Sequence, residues 1–179
     1  VIDLLNSLAS SEGKQATTIK WDGSPAIIFG RDESGDFILT DKSGFFAKGY
    51  DGKAKSPEEL RDMFVNTRKL DKGKEVSPSY ESFADDMSSI FKYYEAAVPP
   101  DHRGFFFGDL LYYTTPEIVD GKYQFKPNIV TYRVDPESEF GQRIGQSKTG
   151  VAVHREIDFD GNKLPLKSRD IFRNKEVYV

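Results

Sequence analysis

Ala16-Thr17-Thr18-Ile19-Lys20-Trp21-Asp22-Gly23-Ser24-Pro25-Ala26-Ile27-Ile28-Phe29-Gly30 is the stretch whose reading fixes the architecture. β-Branched residues lead up to Lys20, and a second apolar run follows the Asp-Gly pair at once. Two such runs around a turn dipeptide predict strands over residues 15–21 and 25–31. Lys20 then stands at a strand end, held by a tight turn. Gly23 lets a ligand approach the main chain. Buried flanks can desolvate the amine, which lowers its pKa and makes it a nucleophile. The alternative is a plain Asp-Gly turn behind a surface lysine. K-x-D-G alone does not choose between the two.

The 179 residues suffice for one domain with a sizeable core, and 14 Phe, 9 Tyr and 37% hydrophobic residues mark a globular chain. A net charge of −4 argues against a general electrostatic nucleic-acid binder. It leaves room for a local basic groove. The lack of cysteine excludes disulfides, zinc–thiolate sites and cysteine catalysis. No stretch approaches the ~20 apolar residues of a membrane span, and no signal peptide is visible. Val1 is not Met, and the chain stops on the strand-like run Glu176-Val177-Tyr178-Val179. We therefore expect a single domain over 1–179, trimmed at both ends.

Working outward, Ile2, Leu4, Leu5 and Leu8 predict a short helix over residues 1–11. Residues 32–36 read as a hairpin loop and Phe37-Ile38-Leu39-Thr40 as the strand that pairs back. Lys48, Lys53 and Lys55 with Gly49 and Gly52 make a basic loop over 47–55, either a solvated surface or a phosphate contact. Ser56-Pro57-Glu58-Glu59 is a helix start with a capping box, predicting a helix to about Leu70 that Lys72-Gly73-Lys74 ends. Tyr80, Phe83, Met87, Ile90, Phe91, Tyr94 and Ala97 give a second helix, from Ser79 to Ala97, one apolar face. Strands are expected over 122–126 and 129–134, and a helix from Asp135 to Gly145.

Arg103-Gly104-Phe105-Phe106-Phe107-Gly108-Asp109-Leu110-Leu111-Tyr112-Tyr113 reads as a buried strand with an aspartate inside it. Such a carboxylate is costly without a partner or a metal. Lys148-Thr149-Gly150-Val151-Ala152-Val153-His154 is a further strand. As a lone histidine, His154 reads as structural.

K-x-D-G is the nucleophile motif of the ATP-dependent DNA and RNA ligases and the mRNA capping enzymes, and the chain resembles that superfamily over residues 15–154. Phe107-Gly108-Asp109 resembles its F-G-E strand, with Asp for Glu. Thr40, Lys42 and Gly44 loosely resemble its Ser/Thr-Lys-x-Gly element; an ordinary polar loop is the alternative. Gly150-Val151-x-Val153 resembles E-G-[VI]-V-[VI], but Thr149 stands where the family has its metal-binding Glu. The closing K-x-K motif is not clearly present; Lys163 and Lys167 are spaced differently. The run K-W-D-G-x-P-A-I-x-F-G also looks like a ligase-like family encoded by large tailed phages.

The resemblance implies an α+β fold of the ligase-type nucleotidyltransferase (ATP-grasp-like) kind, with mixed, largely antiparallel sheets and flanking helices. It implies ATP and Mg²⁺ as cofactors and Lys20 as the nucleophile that becomes lysyl-AMP. Lys20, Asp22, Gly23, Lys42, Asp109, Tyr132, Lys163 and Lys167 would bind nucleotide, and Asp109 would hold the metal. Tyr132 would set its ring against the purine, or be a core tyrosine. The implied partner is a nucleic acid strand with 5′-phosphate and 3′-hydroxyl ends, RNA ahead of DNA. No membrane is implied, and the location would be cytoplasmic, in the host cell if phage-encoded. Three other readings stand beside this one: a capping-type guanylyltransferase, a non-catalytic descendant binding nucleotide or a protein, and an unrelated α+β binding domain.

Overall fold

The computed structural model describes residues 26–67, 78–127, 130–167, 172 and 175–179. The expected helix over 1–11, the strand over 15–21, K-x-D-G itself and the helix end at 72–74 lie outside the described residues.

The predicted hairpin forms. Strand β1 (Ala26–Arg31) pairs antiparallel with β2 (Phe37–Asp41), with Phe29 opposite Leu39. Asp32 shapes the loop by accepting hydrogen bonds from the backbone of Ser34 and Asp36. Strand β3 (Gly104–Tyr112) pairs with β1 on its other side and with β7 (Thr149–Ile157) beyond. Strand β8 (Lys163–Pro165) extends one end of β7, and β9 (Val177–Tyr178) lies parallel to its other end. The sheet order is β2-β1-β3-β7-β8, with β9 on β7. A second, antiparallel sheet holds β4 (Glu117–Val119), β5 (Lys122–Phe125) and β6 (Tyr132–Val134). The architecture is thus α+β with largely antiparallel sheets.

Alternation sorts the large sheet into two faces. Ile27, Phe29, Leu39, Phe106, Leu110, Val151 and Val153 form the main core with helix α3 (Pro78–Ala97). Met87, Ile90, Phe91, Tyr94 and Ala97 of α3 are buried there, as their three-and-four spacing predicts. Phe91 meets Phe37 edge-on at 5.1 Å and Tyr94 meets Phe29 at 4.9 Å. The other face carries Ile28, Ile38, Phe105, Phe107 and Ile157 under Phe45. A third cluster, with Tyr112, Phe125, Tyr132, Ile144 and Tyr178, ties in the small sheet and helix α4 (Glu139–Gln146).

Several boundaries differ from expectation. Lys42–Phe45, expected as loop, is a helical turn, α1, because Asp41 caps it by accepting from Gly44 N–H. The helix expected from Ser56 to Leu70 is α2 (Pro57–Asp62) followed by a π-helical turn over Met63–Thr67. Ser56 Oγ caps Glu59 N–H as predicted, but the Glu59 carboxylate accepts from Lys55 N–H and not from Ser56, so the box closes one residue early. Residues 117–119 and 163–165 are strands that the pattern did not show, all exposed and too short for alternation to register.

Candidate functional site

On β3, Phe105, Phe107 and Asp109 point to the second face, while Phe106 and Leu110 enter the main core. Gly108 between them is demanded by packing. A Cβ there would sit 2.9 Å from Val153 Cα and collide with the Ala152 carbonyl. The glycine of F-G-D therefore lets β7 close on β3.

The register opposes Asp109 to Ala152 and Gly108 to Val153, then shifts by one residue before Arg155 and Phe107. Two residues beyond Ala152, His154 lies on the same face as Asp109, as its diagonal neighbour. His154 Nε2 is 3.4 Å from Asp109 Oδ2, but the atoms are not in hydrogen-bond geometry. The contact is therefore electrostatic, present when the imidazole is protonated. The His154 ring meets Phe107 edge-on at 4.9 Å, and Lys163 Nζ stands 5.7 Å over the same Phe107 ring. The Asp109 side chain keeps 26% of its surface exposed, enough to meet a ligand.

Tyr132 is buried, its ring stacked on Phe125 at 5.2 Å and 16°. This is the core-tyrosine arrangement, with one ring face already taken. Burial raises its phenol pKa, and the Asp109 charge raises it further. Asp109 and the Phe107 ring under Lys163 are two residues apart on β3, while Tyr132 belongs to the third cluster. Lys42 is the exposed first residue of α1. Gly44 of the same element cannot carry a Cβ, because it would collide with Thr40 Oγ1, a buried hydroxyl without a hydrogen-bond partner. Lys167 donates its backbone N–H to Glu156 and leaves its side chain exposed, so it is not shown joining the group around Phe107. Lys20, Asp22 and Gly23 lie outside the described residues.

Thr149 faces the other way. It is fully buried, donates to the Tyr112 carbonyl at 3.0 Å and shares a 3.1 Å hydrogen bond with the Tyr94 hydroxyl. Burial holds the Tyr94 phenol far above its ordinary pKa, so it stays a neutral hydroxyl. A carboxylate at 149 would enter the core under α3, not the Asp109 face. The position does not fit a metal ligand. Among the described residues no group of three or more His, Cys, Asp or Glu is arranged to hold an ion. Asp109 alone does fit Mg²⁺, which commonly takes one or two carboxylates and completes its shell with water and phosphate oxygens.

His154, read from the sequence as structural, stands beside Asp109. The signal was the alternation of Val151-Ala152-Val153-His154, which puts His154 on the face opposite the two valines. A cavity of about 590 Å³ lies elsewhere, at the turn carrying Pro99, His102 and Arg103, away from F-G-D.

A family model matches residues 1–59 and 64–173. The chain belongs to the family of unknown function DUF6267. This DUF6267 member spans K-x-D-G, F-G-D and the β7 strand within the matched residues. No curated protein and no solved structure matches it. Among the described residues, no helix is long and apolar enough to cross a membrane.

Proposed function

We propose that this protein is a ligase-type nucleotidyltransferase that forms lysyl-AMP on Lys20 from ATP, with Mg²⁺, and passes the AMP to the 5′-phosphate of a polynucleotide, RNA ahead of DNA. The observation that carries this reading is the pairing of Ala26 with Asp109. Ala26 is the third residue after Gly23 and the sixth after Lys20, so covalent geometry bounds their Cα distances from the residue paired with Asp109 at about 11 Å and about 22 Å. F-G-D thus pairs with the strand that begins three residues after the glycine of K-x-D-G. Lys163 adds positive charge on that face, which favours an anionic ligand.

In this reading the neutral Lys20 amine attacks the α-phosphorus. A nitrogen–phosphorus bond forms, the bond to the bridging oxygen breaks, and pyrophosphate leaves with the electron pair. The amine sheds its extra proton. A 5′-phosphate oxygen then takes the AMP and frees Lys20, and a 3′-hydroxyl displaces AMP to join the strands. Asp109 would hold Mg²⁺, whose charge would neutralise phosphate oxygens. Asp22, Lys42 and Lys163 would orient the ribose and phosphates.

Thr149 in the core favours a second reading, a non-catalytic descendant that binds nucleotide or a protein. Intact mass after incubation with ATP and Mg²⁺ tests both. An AMP-sized adduct on Lys20, lost in Lys20→Ala, is the expected result. A GMP adduct formed only from GTP would shift the assignment to capping chemistry. No adduct from either nucleotide on folded protein would overturn the catalytic reading in favour of the second.

A further inference from the structure

Asp109 and His154 meet through an irregularity in the large sheet. Ala152 of β7 pairs with Asp109 and Val153 with Gly108; the register then slips, so that Arg155 and not His154 pairs with Phe107. His154 is the extra residue of this bulge. Bulges re-aim side chains in this way. Here the bulge brings the imidazole onto the face of Asp109, where the Phe107 ring meets it edge-on at 4.9 Å. Ala152, directly across from Asp109, is exposed and carries only a methyl group, so no bulky partner on β7 covers the carboxylate. Both side chains keep part of their surface in solvent, 26% for Asp109 and 32% for His154.

The two polar atoms face each other on terms that no hydrogen bond explains. His154 Nε2 and Asp109 Oδ2 are 3.4 Å apart, and Nε2 is buried without a hydrogen-bond partner. A charge-assisted hydrogen bond would close to about 2.7–2.9 Å. As an N–H, Nε2 is a buried donor with no acceptor in line. As a bare lone pair, it confronts a carboxylate oxygen. A buried polar atom left in that state calls for a physical reason, and a bound ion is one. The separation fits an ion. Zn²⁺ takes nitrogen at about 2.0–2.1 Å and carboxylate oxygen at about 2.0–2.2 Å, so donors 3.4 Å apart subtend about 110° at the metal, the tetrahedral angle. Octahedral Mg²⁺ would hold two adjacent donors only about 2.9 Å apart. It also prefers oxygen, whereas imidazole suits zinc.

We infer that Asp109 and His154 form a two-donor site for Zn²⁺, with the remaining tetrahedral positions taken by water or an anionic ligand. Asp109 alone suits Mg²⁺; the imidazole that the bulge sets beside it changes the preference. The site itself does not rest on the ligase-type reading. Its consequence does: Zn²⁺ would take the carboxylate which that reading gives to Mg²⁺, and would hold back adduct formation on Lys20.

The chain has no cysteine and two histidines, His102 and His154, so histidine-dependent zinc binding is readily assigned. Zn²⁺ affinity of the untagged chain is measured by competition with a chromophoric chelator. The wild-type chain is expected to bind one Zn²⁺ that a roughly hundredfold excess of Mg²⁺ does not displace. His154→Ala and Asp109→Asn are each expected to weaken binding about tenfold or more, and His102→Phe to leave it unchanged. Co²⁺ on the unaltered chain should give the intense visible absorption of a tetrahedral ion, a readout that needs no variant to fold. Zn²⁺ binding that is absent, displaced by Mg²⁺ or kept in full by His154→Ala would overturn the site, as would the weak absorption of octahedral Co²⁺. Zinc-free protein is also incubated with ATP and Mg²⁺. Zn²⁺ bound through His154 with no Lys20 adduct in that incubation spares the site and sinks the ligase reading. A Lys20 adduct in a chain that binds no Zn²⁺ does the reverse.

Discussion

Asp109 occupies a position that an apolar strand would ordinarily give to valine. The His154 imidazole stands 3.4 Å from its carboxylate, and a quarter of the side chain remains exposed. In the ligase-type reading this carboxylate is a binding group. Asp109→Asn keeps the shape and removes the charge, so the fold is expected to hold within about 0.5–1 kcal/mol. Lys20 adduct formation is expected to fall at least tenfold, read by intact mass over time. Undiminished adduct formation would remove Asp109 from the site. His102 gives a separate test of the same physics. Its ring stacks on Phe106 at 4.9 Å and 20°, and its buried Nε2 has no hydrogen-bond partner. Burial holds its pKa below the ordinary 6.5, against the opposing pull of Glu156 and Asp101. The folded state therefore prefers neutral imidazole, and the unfolded chain binds the proton first. This stabilisation is complete above pH 6.5 and is lost as the pH falls through the folded pKa. Thermal melts from about pH 8 to pH 5 should show an acid-side drop in Tm that His102→Phe reduces while keeping the ring stack. Identical profiles would mean that other groups set the acid limb.

The pairing of β3 with β7 decides which side chains reach the candidate site, and two substitutions test it. Gly108→Ala drives a methyl into the β7 backbone and is expected to cost about 1–3 kcal/mol in urea unfolding. An unchanged midpoint would mean the strands do not close as described. Thr149→Glu restores the residue that the ligase resemblance would have there, yet buries a carboxylate beside Tyr94. It is expected to lower stability by several kcal/mol and to leave adduct formation unimproved. A stable, more active Thr149→Glu protein would show that position 149 faces the cleft. The elements themselves were legible where pattern and burial agree. The β1–β2 hairpin, the core face of α3 and the long β3 all follow from their periodicity or from continuous apolar runs. Strands β4 and β8 were not legible, because edge strands of three exposed residues carry no alternation. The helix expected to run through to Leu70 gives way at Met63 to a wider turn in which Met63, Phe64 and Val65 are all buried. Three consecutive buried residues are not a helical-face pattern, and the sequence held that warning. The site was legible as residue types, in Asp109 and Lys163. The Asp109–His154 pair needs a register and a bulge, which no local pattern specifies.

For the whole molecule, the large sheet does two different jobs with its two faces. One is closed by α3 and supplies the core. Among the described residues the other is covered only in part, by Phe45 at one end, and carries Asp109, His154 and Lys163 in partial contact with solvent. In the ligase-type reading, stability and ligand binding fall to opposite faces, so a ligand on the open face should stabilise the fold without rearranging the core. The catalytic and non-catalytic readings then separate in a melting experiment. A reversible nucleotide raises Tm by mass action, and the gain vanishes when free ligand is removed. A lysyl-AMP keeps its gain after desalting. Wild-type protein incubated with ATP and Mg²⁺ and then desalted is expected to melt above untreated protein, whereas Lys20→Ala treated in the same way should melt with its own untreated control. With ATP left in solution, Lys20→Ala should still gain stability, because Asp109, Lys42 and Lys163 remain to hold the phosphates. Gains in both proteins that disappear on desalting would identify a nucleotide-binding module without covalent chemistry. No gain in either would separate K-x-D-G and F-G-D from nucleotide altogether.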